Sequence, residues 1–520
     1  MPFATFLSRW GFVVRDRALA IGVAALVALQ GFSLFSLARV HPVWGDEGSY
    51  SDVAMSFARR GTFAWPFMTG DYGFERSNVA FGRLYTGALG LVYRTIGFGV
   101  FQGRLLSYMC GIAILALVYL IVRELQGSRV AAVWASVLVA ASYIFFDTTH
   151  TIRPEIALTA LATCSLYVLL VARRRDSWWL YALAGLLGAA CADVHSNGIC
   201  VPVALVAVAL WLLGWRRTLT RAALPFGLGV AAGAAWWVGV HILPDPALFS
   251  WQWRFWSGYA LPPAVQIVRN PAAWAVAEWA KLTEAGTVNA AIVPLLAYWA
   301  LFAIGAPALV WAWLQRERAS SDPARSAEAT LRRDALVPVI YLAGLTFAAT
   351  LAVSQRLQPY YIYAVPMIVC TAVMAMASAR RGVRWAIVVV ASIAVALSVG
   401  AVGYTSWKLR GADYGRFVSQ VRRYVPDGVR VFGWQDLRFA FEGDQLRGYT
   451  GELYDRAPSG GYLVIGEDLA TASAANDPRL KAIITERGVL VGTVSDSVYG
   501  RNVSSSPRLP SYRTFVYRLR

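Results

Sequence analysis

The amino-acid sequence predicts an α-helical polytopic membrane protein ending in a small α/β domain outside the cytoplasm. Three observations predict it. The chain of 520 residues is 57% hydrophobic and only 15% charged, whereas soluble chains carry about 25% charged residues. Apolar windows of about 20 residues, long enough to cross a bilayer, recur as far as residue 405. Basic residues gather in alternate connections between those windows, as orientation signals do. The net charge of +18 invites a nucleic-acid reading. The arginines flank apolar runs, however, so the expected surroundings are membrane lipids and no nucleic acid.

The first apolar run covers 18–40 and follows Arg9, Arg15 and Arg17, which places the N-terminus in the cytoplasm. It is too long for a signal-peptide core and reads as a retained span. The chain therefore emerges on the outer side at His41-Pro-Val-Trp-Gly-Asp-Glu-Gly-Ser-Tyr50, with Asp46 and Glu47 adjacent where it leaves the membrane. The outer loop 41–101 carries two stretches with helical spacing. One is 51–60; the other is 79–100, which Arg83 and Arg94 interrupt. Both read as helices lying in the interface.

Further spans are predicted at 104–122, 129–147, 155–172, 178–193, 198–214, 222–243, 290–314, 335–353, 359–378 and 384–405, about eleven with the first. Each connection assigned to the inside is basic: Arg123 and Arg129, Arg173 to Arg175, Arg216 and Arg217, Arg316 to Arg333, Arg380 and Arg381. An odd number of spans leaves 411–520 outside. Apolar runs vanish there, and short runs at 429–432, 462–465 and 488–492 read as strands bounded by turn residues such as Ser459-Gly-Gly461. The domain reading is thus a membrane domain, 1–410, and an extracytoplasmic α/β domain, 411–520. Asn502-Val-Ser504 fits a glycosylation acceptor by pattern alone. The five cysteines lie in or beside apolar runs with neither metal-ligand spacing nor a disulfide framework.

With the sides assigned, ionisable residues from distant loops share the outer face. They include Asp147-Thr-Thr-His150-Thr-Ile-Arg153-Pro-Glu155, Asp193-Val-His195, and Gln355-Arg356-Leu-Gln-Pro-Tyr360-Tyr361. Charges at membrane depth are functional candidates by default. Each also has a plainer reading: histidines and tyrosines as interface anchors, Arg-Pro-Glu as a helix start. With only three lysines in the chain, an anion site must rely on arginine, whose planar fork suits phosphate. Carboxylates beside arginines suit acid–base work next to an anion. On the outer side a sugar donor would be lipid-linked. Its phosphate leaving group is already a stable anion, so one general base and a basic clamp suffice; a glycosidase needs a carboxylate on each side of the bond.

The Asp-Glu pair directly after span one resembles that of the GT-C glycosyltransferases, in particular the protein O-mannosyltransferase and aminoarabinose-transferase branch, families 39 and 83. Leu84-Tyr85 through Phe98-Gly99, Arg104-Leu-Leu-Ser107, His150 to Glu155, and Arg356 with Tyr360, Tyr361 and Pro366 are similar to later motifs of that branch in their order. The resemblance implies inverting transfer from a polyprenyl-phosphate sugar to a lipid, glycan or protein acceptor. Asp46 would be the base and Glu47 its support. Arg76, Arg83, Arg153 and Arg356 would be candidates for the lipid phosphate, and His150, Glu155, His195, Tyr360 and Tyr361 for substrate contacts. The aminoarabinose branch uses a lysine in the first outer loop. This loop has none, so Arg76 or Arg83 would replace it. No cofactor is required and no metal ligands are assigned; a divalent cation is left open. The composition suits a bacterial plasma membrane. The competing reading is a transporter or flippase of a lipid-linked glycan, which would place its charges at the bilayer midplane.

Overall fold

The computed structural model describes residues 2–79, 82–257, 269–273, 276, 289–317, 333–352, 358–408, 413–441, 443–456, 458–467, 477–495 and 513–520. Helix α1, Pro2–Ser36, starts earlier and stops sooner than the predicted first span, and a turn at 37–41 leads out of it. Helix α2 then runs Gly45–Arg60, so the acidic pair lies in a helical first turn rather than in a loop. The reason is local: Glu47 reaches back to the Trp44 backbone N–H at 2.8 Å, and two acids sit at the positive end of the helix. Helix α3, Arg83–Ile96, lies against α2.

The membrane body continues with α4 (Val100–Gln126), α5 (Arg129–Ala140), α6 (Tyr143–Thr149), α7 (Pro154–Arg175), α8 (Trp178–Val194), α9 (Val201–Arg217), α10 (Ala223–His241) and α11 (Pro246–Ser257). Next come α12 (Asn289–Glu317), α13 (Val337–Ala352), α14 (Val365–Ser378) and α15 (Arg381–Lys408). Among the described residues, eight helical segments are long and apolar enough to cross a bilayer. The predicted span 129–147 is a broken one, α5 and α6, bent by 67°. The predicted spans 198–214 and 222–243 run together as a 46-residue helical segment, at 1.5 Å per residue about 70 Å, far more than one bilayer crossing. Its backbone leaves helical geometry at Gly214. Splitting it there, and adding the bent pair and the short apolar helix α8, recovers the roughly eleven expected passes.

Large side chains such as Val27, Phe35, Leu224 and Phe347 are exposed on these helices, as lipid-facing positions are. Inside the bundle, α8 and α10 meet through small residues. A Cβ on Gly185 would lie 2.2 Å from the Phe226 carbonyl, and one on Gly229 would lie 1.9 Å from the Ala182 carbonyl. The helices touch backbone to backbone, the way membrane helices associate without a hydrophobic driving force. Ion pairs Arg173–Asp334 and Arg174–Glu124 tie the far end of α7, away from Arg153 and Glu155.

Beyond α15 the described chain forms α16 (Tyr414–Arg422), β1 (Val431–Phe432), β2 (Leu446–Arg447), α17 (Gly451–Arg456), β3 (Tyr462–Gly466), α18 (Pro478–Ala482), β4 (Gly488–Val494) and β5 (Thr514–Leu519). The strand order is β2-β1-β3-β5-β4. β1 pairs in parallel with β2 and β3, and β5 runs antiparallel between β3 and β4. The expected strands correspond to β1, β3 and β4; β2 and β5 are additions that the sequence does not signal. A two-residue strand is too short for any periodicity, and β5 interleaves its apolar residues with Tyr517 and Arg518 beside the chain end. Asn502 lies outside the described residues.

Candidate active site

The site is built on two helix starts that face each other. The first turn of α2 supplies Asp46, Glu47 and Tyr50; the start of α7 supplies Arg153 and Glu155, with Pro154 at the first helical position. Arg153 joins them. Its Nη1 donates to Asp46 Oδ2 at 2.8 Å, and its Nε donates to both Glu155 oxygens at 3.0 and 3.1 Å. Its guanidinium carbon lies 4.4 Å from the Trp44 ring centroid, a cation–π contact. Arg153 is 3% exposed and Glu155 wholly buried, whereas the Asp46 side chain is 43% exposed. Tyr50 and Tyr360 border the same charges.

Glu47 has a different place. It is fully buried, and Arg104 grips it through Nε and Nη2, both at 2.9 Å. The Glu47 oxygens also accept the backbone N–H groups of Trp44 and Ile152. Arg104 gives its remaining donors to the carbonyls of Leu37, His41 and Pro42, so all its N–H groups are used. This pair stitches the end of α1, the start of α2, α4 and the 152 turn together just behind Asp46. The sequence offers Arg104 as part of a motif but gives no sign that it is the partner of Glu47. The two residues are far apart in the chain, and only the fold brings them together.

Electrostatics separate the carboxylates further. Burial raises the Asp46 pKa above the ordinary carboxylate range; the Arg153 cation pulls the other way, and Glu155 and Glu47 add to the rise. An aspartate whose pKa is raised is a stronger base than a free one. Burial keeps the His195 ring neutral despite Glu155. Because the Asn197 backbone N–H donates to its Nδ1 at 3.2 Å, the proton of this neutral ring sits on Nε2. Tyr360 packs edge-on to His195, 5.4 Å between ring centroids, and Tyr361 is half-buried beside it.

Arg83 opens α3 next to the 193–195 turn. Its backbone N–H donates to Asp193 Oδ1 at 3.0 Å, and Asp193 also takes His241 Nε2 at 2.6 Å and Trp236 Nε1 at 2.9 Å. The Arg83 guanidinium lies over Phe63, and its Nε has no hydrogen-bond partner among the described residues. Burial lowers its pKa, with Asp193 opposing. Arg83 is thus a half-buried arginine beside the turn that carries His195. Leu158, Ala162, Asn197, Tyr341, Tyr363 and Met367, among others, line a small, mostly apolar pocket.

Several expectations change. Arg153 is tied to two carboxylates and carries no spare charge for a phosphate. His150 is wholly buried, with Nδ1 on the Phe146 carbonyl at 2.7 Å and Nε2 facing Ser36 Oγ at 2.9 Å, so it fastens α6 to α1 and has no surface for a substrate. Arg76 is exposed at the end of the 66–76 loop, and no contact among the described residues brings it to the Asp46 cluster. Arg356 lies outside the described residues. No group of three or more His, Cys, Asp or Glu residues suited to a metal occurs among the described residues.

The family model described as dolichyl-phosphate-mannose-protein mannosyltransferase matches residues 87–239. An uncharacterized protein of Aquifex aeolicus is 24% identical over 199 residues, and the match spans only 38% of each chain. Among solved structures, ArnT from Cupriavidus metallidurans bound to undecaprenyl phosphate superposes with a TM-score of 0.60 over 98% of both chains at 15% identity. The archaeal oligosaccharyltransferase AglB from Archaeoglobus fulgidus, in complex with an inhibitory peptide and a dolichol-phosphate, gives 0.52 over 94% of this chain and 74% of its own at 14% identity. At such identities the likeness establishes the fold. The chain is a multi-pass membrane protein with the GT-C architecture, and the resemblance carried by its motifs is borne out at that level.

Proposed function

We propose that this protein is a membrane glycosyltransferase that moves a sugar from a polyprenyl-phosphate-linked donor to an acceptor hydroxyl, with inversion, and that Asp46 is its general base. One observation carries the proposal. Of the three carboxylates gathered at the paired helix starts, Glu47 and Glu155 are wholly buried against arginines, and Asp46 alone is open, its side chain 43% exposed. Arg153 holds one Asp46 oxygen, and the described residues give no hydrogen bond to the other. That oxygen is free to take the acceptor proton.

The chemistry needs nothing more from a carboxylate. The acceptor oxygen attacks the anomeric carbon from the side opposite the phosphate, its proton passes to Asp46, and the lipid phosphate leaves as a stable anion without protonation. Arg83 supplies a cation for that phosphate, and Arg356 remains a sequence-based candidate for the same task. The ArnT and AglB structures that share the fold hold undecaprenyl phosphate and dolichol-phosphate, which supports a lipid-phosphate donor here. The arginine-rich connections support a bacterial plasma membrane with the site on the outer side. The charges crowd one end of the bundle rather than its middle, which favours transfer over transport.

The test is transfer of radiolabelled sugar from a panel of polyprenyl-phosphate sugars to lipid, glycan and peptide acceptors, with and without EDTA. Wild type should transfer or hydrolyse at least one donor, and Asp46→Asn should be inactive with donor binding kept. Full turnover by Asp46→Asn would remove the base assignment.

A further inference from the structure

The helix that carries Asp46 is held on its outward side by the C-terminal α/β unit. Gly45, Gly48, Ser49 and Asp52 recur at helical spacing and so form one stripe of α2. The short helical turn Gln435–Phe439 lies along that stripe. A Cβ on Gly48 would sit 1.9 Å from the Gln435 carbonyl oxygen, so only glycine lets the turn's backbone rest there. Ser49 donates its hydroxyl to Gln435 Oε1 at 2.5 Å, and the Trp434 indole packs beside Gly45. Arg438 pairs with Asp52 at 2.7 Å, both side chains 3% exposed, and its guanidinium faces the Phe98 ring. The other Asp52 oxygen accepts the Phe67 backbone N–H at 2.9 Å. One buried carboxylate thus joins the base helix, the outer loop and the C-terminal unit. Further bonds dock that unit on the same loop: Gly448 N–H to the Phe67 carbonyl at 2.8 Å and Thr450 hydroxyl to the Thr69 carbonyl at 2.8 Å.

We infer that Gln435 and Arg438 are positioning residues for Asp46: the C-terminal unit fixes the axial and lateral placement of α2, and so the distance from the base to the acceptor. The inference rests on the reading of Asp46 as base. Displacing a reacting group by about 1 Å costs roughly 100-fold in rate. Releasing one side of the clamp should therefore lower turnover while leaving the donor's phosphate contacts, on α3 and the 193–195 turn, undisturbed.

The experiment uses the full chain in detergent with Ser49→Ala, Arg438→Gln and Arg438→Lys. It reads turnover with undecaprenyl-phosphate-linked mannose and undecaprenyl-phosphate-linked aminoarabinose, and hydrogen exchange of the peptides covering 45–57. The expected result is a fall in kcat of about tenfold or more, donor KM within about twofold, and faster exchange confined to 45–57, with Arg438→Lys restoring most of the rate. Unchanged kcat and exchange in Ser49→Ala and Arg438→Gln would overturn the inference, as would a rise in KM at constant kcat. If Arg438→Gln does not fold, Ser49→Ala decides. If wild type transfers neither sugar, exchange decides: acceleration confined to 45–57 upholds the clamp, and unaltered exchange overturns it.

Discussion

Adjacent residues in one helical turn should respond to substitution in opposite ways. Asp46→Asn and Glu47→Gln each remove one negative charge and keep the side-chain shape. Asp46 is 43% exposed and makes one ion pair, with Arg153; pairs of that exposure contribute about 0–1 kcal/mol. Its replacement should leave the unfolding midpoint near wild type. Turnover should fall by the ~10²- to 10⁴-fold that a positioned general base supplies. Glu47 is wholly buried and accepts two N–H groups of Arg104 and two backbone N–H groups. Glu47→Gln would leave the buried Arg104 cation uncompensated, a loss of about 3–5 kcal/mol.

The assay is paired: equilibrium or thermal unfolding of each purified variant in the same detergent, and sugar transfer at a temperature where both remain folded. Glu47→Gln should unfold early and, where folded, retain more turnover than Asp46→Asn. A double variant, Glu47→Gln with Arg104→Met, should recover part of the lost stability, because the uncompensated charge is gone. A stable, inactive Glu47→Gln beside an active Asp46→Asn would show the roles reversed and refute the reasoning.

Other outcomes follow from the same geometry. The acid limb of the kcat/KM profile should lie above the ~3.9 of an unperturbed aspartate, because burial raises Asp46 and rate is lost as pH falls and the base protonates. Arg153→Gln removes the cation that lowers that pKa, so the limb should move to still higher pH; a limb that moved down would contradict the assignment. Arg83→Ala should weaken binding of undecaprenyl phosphate about 10- to 100-fold, the range set by charge-assisted hydrogen bonds of ~1.5–3 kcal/mol, and unchanged affinity by direct titration would end its phosphate role. Gly229→Ile should cost more than the ~1–3 kcal/mol of ordinary overpacking, read as an early unfolding midpoint, since the Ala182 backbone and not a side chain fills the space.

The features legible in the sequence are those with a period or a window. Spans, basic connections and the helical stretches at 51–60 and 79–100 leave such marks, even though 129–147 conceals a break and 198–243 forms one helical segment that is interrupted at Gly214. Asp46 stands out because an acid pair directly after a span is costly by default. What does not show is pairing. Arg153 resembles a phosphate ligand because arginine is the usual one, and only the fold reveals that Asp46 and Glu155 already occupy its donors. Arg104 and Arg438 are invisible for the same reason, since their carboxylates lie far away in the chain. His150 misleads because its position at the end of a span is compatible with either a wet or a dry environment.

If Asp46 is the base as proposed, those pairings explain how the site keeps one reactive carboxylate among several. Three acids packed near one another would repel and raise each other's pKa. An arginine for each buried glutamate relieves that problem: Arg104 neutralises Glu47, and Arg153 neutralises Glu155 while lending one N–H to Asp46. The arginines are therefore not interchangeable members of one basic patch. On the proposed reading, two set the protonation and direction of the base, Arg438 holds the helix beneath it through Asp52, and Arg83, which makes no ion pair among the described residues, is the candidate for the phosphate. Exchanging Arg153 for lysine keeps the charge but loses the fork that spans Asp46 and Glu155, so transfer should fall even where the acid limb stays in place.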